Sequence, residues 1–188
     1  MKHRGFTLVE LLIVIVVIGV LSAMMMLSST EAVSSAEAAK VISNMRNLKT
    51  AVLEWYADNL DRVKKNGNNY NVFSTDGTNP QDLPTFTASA AGKAEILKYL
   101  NDASFVLATK PANNSNTANS NGDYVVADVN YKTWYVYYTV GSNTKLKQKL
   151  ASRAKSLGLK GHSGIGGDPS ETEYKKEKYV MLPILELE

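Results

Sequence analysis

Apolar and polar positions along this chain fall into two regimes that meet near residue 28. Residues 11–27 hold no charged side chain, and Glu10 is the one ionisable group between Phe6 and position 27. After Ser28-Ser29-Thr30 the apolar residues thin to a stripe of Val41, Met45, Leu48, Val52 and Trp55. Those steps of four and three are the period of one helix face. Lys40, Ser43, Asn47, Lys49, Glu54 and Asp58 lie around the stripe. The pattern predicts one helix of about 55 residues, apolar all round at first and one-sided later. Its later half should dock on a globular head.

Past Asp61 the pattern changes. Lys64-Lys65-Asn66-Gly67-Asn68-Asn69 is expected to end the helix, and a loop-rich stretch with Pro80 and Pro84 to run to about Gly92. Residues 94–100 read as a short helix and 105–108 as a strand. Residues 113–122 form a polar, low-complexity loop. Segments 124–129 and 133–140 are rich in Val and Tyr and flank a turn near Asn130, as two antiparallel strands would. Leu146, Leu150, Ala154 and Leu157 mark an amphipathic helix that Gly158 would stop. A glycine-rich loop is expected over 161–169. A last apolar strand is expected over 179–185, with Pro183 favouring a sheet edge. The fold class is therefore α+β: a long N-terminal helix, with a transmembrane half and an amphipathic half, packed on a small antiparallel β-sheet head. The pattern does not place the helix near 144–157.

The apolar half is long enough to matter physically. At about 1.5 Å per residue, residues 6–27 cover roughly 33 Å, against a bilayer core of about 30 Å. Lys2 and Arg4 precede it and direct the N-terminus to the cytoplasm. A cleaved secretory signal is one reading, with Ser34-Ser35-Ala36 as a small-residue site, but the apolar run is longer than such signals use. A plain signal anchor on an extracytoplasmic binding protein is another. Neither accounts for Glu10, because a carboxylate at the edge of a spanning segment is expensive without a partner.

The run Gly5-Phe6-Thr7-Leu8-Val9-Glu10-Leu11-Leu12-Ile13-Val14-Ile15-Val16-Val17-Ile18-Gly19-Val20-Leu21 resembles the N-terminal segment of type IV pilins and of type II secretion pseudopilins. The resemblance is close over residues 1–27 and loose to about Leu60. It implies a leader of residues 1–5, a transmembrane and filament-core helix over 6–27, an amphipathic continuation over 28–62 and a pilin-like head over 63–188. It implies cleavage between Gly5 and Phe6 by a prepilin peptidase and N-methylation of Phe6. It further implies that Glu10 pairs with the terminal amine of a neighbouring subunit, with Leu11, Leu12, Ile13, Ile15, Val16, Ile18 and Gly19 packing the filament core. Glycine at position 5 leaves a peptidase room to close on the backbone. A free α-amine is cationic at neutral pH and stays basic when methylated, so Glu10 would neutralise a charge otherwise stranded among apolar helices. The simpler role for Glu10 is to complement the helix dipole, and the two roles are compatible. Implied partners are other copies of the chain, the prepilin peptidase, an assembly platform protein with its ATPase, and the inner membrane. The precursor would span that membrane once, before an extracytoplasmic life in a surface pilus or a periplasmic pseudopilus.

The chain departs from the family in two places. Many members carry a proline soon after the glycine-containing run; here Met24-Met25-Met26-Leu27 follows, and the first proline is Pro80. Gly19 alone costs about 1 kcal/mol against alanine in a helix and also permits close helix packing. The chain has no cysteine, so the C-terminal disulfide of many pilins is excluded.

Composition fits a subunit better than a catalyst. Of the two histidines in 188 residues, His3 leaves with the leader and His162 sits in a glycine-rich segment with no nucleophile–base set around it. Gly161-His162-Ser163-Gly164-Ile165-Gly166-Gly167 lacks the lysine of a phosphate loop. Asp168, Glu171 and Glu173 match no Ca²⁺ ligand spacing, so no metal or other cofactor is expected. The formal net charge of +3 includes Lys2 and Arg4, which cleavage would remove. One charge pattern stands out. No acid occurs between Asp128 and Asp168, while Lys132, Lys145, Lys147, Lys149, Arg153, Lys155 and Lys160 fall there, near Trp134, Tyr135, Tyr137 and Tyr138. Lys145, Lys147, Lys149, Arg153 and Lys155 are candidate DNA contacts, as in a competence-type uptake pilin. The alternative is a solvated helix face, or one that meets acids on neighbouring subunits.

Overall fold

The computed structural model describes residues 6–66, 69–73, 80–81, 90–100, 122–129, 133–163 and 173–186. Helix α1 runs unbroken over Leu8–Asp58, followed by a 3-10 turn at Leu60–Arg62. Then come strands β1 (Val63–Asn66), β2 (Asn69–Phe73) and β3 (Pro80–Gln81), and helix α2 (Ala90–Leu97). The second half holds β4 (Tyr124–Val129), β5 (Thr133–Thr139), α3 (Thr144–Leu157), β6 (Lys160–His162) and β7 (Tyr179–Glu186). This is the expected α+β layout, a long helix on a small antiparallel sheet.

The main sheet has the order β4-β5-β7-β6, with every neighbouring pair antiparallel. Helix α1 lies on it through Ser34, Ala38, Val41, Met45, Leu48, Val52 and Trp55, all buried. They recur in steps of four and three, so one stripe supplies the helix side of the core. Tyr124, Val126, Trp134, Val136, Val180 and Leu182 meet it from the sheet. The opposite sheet face is also buried, through Val125, Tyr135, Tyr137, Tyr179 and Met181.

Polar ties fix α1 in place. Asn44 Nδ2 donates to the buried Tyr124 hydroxyl (3.1 Å), and Lys49 Nζ donates to the Pro183 carbonyl (2.8 Å). At the far end of α1, Trp55 Nε1 donates to Glu95 on α2 (2.9 Å). Arg62 forms an ion pair with the same carboxylate (3.2 Å) and stacks over the Trp55 ring, 5.4 Å from its centroid. Burial pushes the Glu95 carboxyl up, but the hydrogen bonds from Arg62 and Trp55 and the nearby positive charge outweigh it, and the net shift is downward.

Helix α3, unplaced by sequence, packs against α1 through Leu146, Leu150 and Ala154. Its ends follow from local chemistry. The Asn143 side chain accepts from Leu146 N (3.1 Å) as N-cap. Gly158 takes φ 65° at the C-cap, where a side chain would be strained. Asn143 Nδ2 also reaches Glu37 on α1 (3.2 Å).

Several expectations need correction. The segment expected to be loop from residue 63 contains a small antiparallel sheet in the order β1-β2-β3. The short helix begins earlier than expected, at Ala90, and ends at Leu97. The start of the glycine-rich segment is a strand, β6, and Gly161 is needed in it because a Cβ there would run into the Glu177 carboxylate. That carboxylate accepts from Lys175 N (2.8 Å) and Lys176 N (3.0 Å), which holds it in place. Strand β7 lies inside the sheet, contrary to the edge expected from Pro183. Proline fits because β6 pairs only as far as Met181. On the other side the register shifts between Trp134 and Tyr135, which face Leu185 and Pro183 and leave Ile184 as the extra residue. The expected strand at 105–108, the loop at 113–121, the turn at 130 and the glycine-rich stretch 164–169 lie outside the described residues.

Candidate functional site

The site begins where α1 begins. Thr7 takes an extended conformation (φ −76°, ψ 149°) and caps the helix. Its hydroxyl accepts from Glu10 N (3.3 Å), while its own N–H (2.9 Å) and O–H (2.8 Å) both donate to Glu10 Oε2. This reciprocal capping box satisfies two donors that a helix start leaves open. It also ties the Glu10 carboxylate back to the backbone N–H of Thr7, the residue after Phe6. Both bonds fall on Oε2, so among the described residues Oε1 accepts nothing. Phe6 itself is 76% exposed. Gly5 and the rest of residues 1–5 lie outside the described residues.

From Leu8 to Met26 the helix buries nothing against its own head. Leu11, Leu12, Ile13, Ile15, Val16 and Ile18 are all exposed, and even Val14, the least exposed large apolar side chain here, shows 44% of its surface. Gly19 has open space where a Cβ would stand. By length and composition this part of α1 can cross a membrane. Among the described residues the first buried side chain is Ser34. A contiguous apolar surface of this size on a folded chain is a contact surface for something outside it.

The basic segment is divided by the fold. Lys145 Nζ donates to Thr30 Oγ1 (2.8 Å), and Lys149 pairs with Glu31 (3.1 Å), both on α1. Lys147 and Arg153 are half-buried and Lys155 exposed, and no acid among the described residues pairs with them. Trp134, Tyr135, Tyr137 and Tyr138 are all buried, on both sheet faces, so none offers a ring for stacking nucleic-acid bases. His162 is half-buried in β6. Among the described residues no three His, Asp or Glu side chains gather as metal ligands.

Residues 1–26 match the family model described as the prokaryotic N-terminal methylation motif. The chain thus carries the prepilin-type signal of type IV pilins and pseudopilins, on a pilin-like α+β layout. That signal indicates a structural subunit, implies processing by a prepilin peptidase and, with the apolar start of α1, fits a membrane-anchored precursor. No curated protein and no solved structure matches the chain.

Sequence reasoning found the N-terminal methylation motif because its residues are contiguous. It missed the Thr7–Glu10 box, although the Thr-x-x-Glu spacing is a readable signal. It also missed the α3–α1 ties, which join residues more than a hundred positions apart and leave no local trace.

Proposed function

We propose that this chain is the structural subunit of a type IV pilus-like filament, cut after Gly5, methylated at Phe6 and polymerised through the apolar half of α1. The observation that carries this reading is the unshielded surface of Leu11, Leu12, Ile13, Ile15, Val16 and Ile18 on a helix that already bears the methylation motif. The inner membrane covers that surface first, with the N-terminus cytoplasmic and residues 63–188 outside. Helices of other copies cover it after an assembly ATPase and platform protein extract the subunit. Glu10 then meets the Phe6 amine of a neighbouring copy through its spare oxygen, and this ion pair sets the axial step between subunits. Gly19 and the methionines at 24–26 let helices approach and adapt.

The test is the intact mass of the protein in sheared surface material and, separately, in membranes. A methylated chain starting at Phe6 in the sheared fraction is expected. The same chain confined to membranes would instead assign a type II secretion pseudopilin, and an uncut chain would overturn the filament reading. In the same assay Glu10→Ala should deplete the sheared fraction at least about tenfold, as expected when a buried charge loses its partner, while the membrane fraction stays constant.

A further inference from the structure

We propose that α3 is a lipid-contact helix: while the chain is anchored, its unpaired cations rest on the anionic headgroups of the bilayer that α1 crosses. This rests on the membrane-anchored reading above. If residues 6–27 fill the hydrocarbon core, the headgroup layer outside it is roughly 5–7 Å deep, and at about 1.5 Å per residue it takes in residues 28–31. The ties of Lys145 to Thr30 and of Lys149 to Glu31 put α3 at that level. The rest of the described head docks on α1 from Ser34 onward. Helix α3 is therefore the floor of the described part of the head.

Its charge suits that position. Five cations and no acid lie on α3, and Lys149 neutralises Glu31, the acid that would repel lipid phosphates. Arg153, one turn on from Lys149, and the exposed Lys155 are left for the lipid, while Lys147 lies on the opposite side of α3 from Lys145 and Lys149. Two acids of α1 lie near the membrane exit, Glu31, which Lys149 pairs, and Glu37, which accepts from Asn143; Glu54 and Asp58, with Asp61 just beyond, lie roughly 40 Å from that exit. A basic amphipathic helix pinned at the level of the headgroups fits an anionic bilayer surface. Buried aromatics remove the stacking half of a nucleic-acid surface.

The chain lacks cysteine, so a nitroxide on Ser152→Cys, at an exposed α3 position, reports α3 alone. The full chain is reconstituted in vesicles of phosphatidylcholine, with or without phosphatidylglycerol, with a neutral nickel chelate on both sides. The label should lose most of its collisions with the chelate when phosphatidylglycerol is present, and raised salt should restore them. Each cation near such a surface gives about a fivefold preference, so Arg153→Gln/Lys155→Gln should lower the ratio of contacting to free helix about twenty-five-fold, with the head's unfolding midpoint unchanged. Equal label exposure in both vesicle types, while the protein still floats with both, overturns the proposal and leaves anchoring intact. Protection that survives salt or the double variant overturns it too. Failure to float with either vesicle removes the anchored reading and the proposal with it.

Discussion

The two halves of α1 share one backbone and bury their apolar surface in opposite ways. Residues 34–55 expose a polar face and bury one stripe, Ser34 to Trp55, against a sheet the same chain supplies. Residues 11–26 are apolar on every side and bury none of it internally. The first half of the helix is therefore stable only in apolar company from outside, and the second needs no partner. The comparison teaches that anchoring or assembly and head folding are separable properties of this chain, joined by continuous helix and by little else.

The largest expected separation comes from Trp55→Ala. Trp55 is buried, lies 6.3 Å from the Trp134 ring and donates to Glu95. Its loss should destabilise the head by about 3–5 kcal/mol, read as a lower denaturant midpoint of the full chain in detergent, with membrane retention unchanged. The converse variant is Val16→Arg. A guanidinium at the middle of a spanning helix costs about 2.5–3.5 kcal/mol on insertion scales. Membrane fractionation should show loss of anchoring, and the head's midpoint should stay put. If either variant moved both readouts, the two halves would not be independent. A smaller effect sharpens the boundary of the head. The folded-state pKa of Glu95 is depressed, so its contribution is present above the unfolded carboxyl pKa and is lost as pH falls through the folded one. Glu95→Gln should cost about 1–2 kcal/mol at neutral pH and flatten the acid limb of the stability–pH curve, with no change in anchoring at any pH.

Legibility followed the range of the physics. The run 11–27 and the stripe from Val41 to Trp55 are local patterns with a fixed period, and both halves of α1 were readable from them. Helix α3 was equally plain, from Leu146, Leu150, Ala154 and the stop at Gly158. The strand β1 was not, because Lys64-Lys65-Asn66 has the polarity of a helix terminus and β pairing is decided by a partner strand. Strand β6 was hidden because Gly161 reads as loop, whereas its glycine answers to Glu177. Pro183 was read as an edge signal; the structure satisfies proline by a short neighbour and a register shift inside the sheet. For the candidate site, Gly5, Phe6 and Glu10 were legible as a motif. The fate of Lys145 and Lys149 was not, since Thr30 and Glu31 come beside them only after the chain has folded.

The unbroken hydrogen-bond ladder of α1 has a mechanical consequence. No proline interrupts Leu8–Asp58, and the helix is about 75 Å long. Tension applied to the apolar end is carried up a single strut and delivered to the head across its whole docked length, from Ser34 to the Trp55–Glu95–Arg62 clasp. Pulling there shears many side chains together and peels none of them singly. A fibre built on such struts would yield between subunits before it yielded within one.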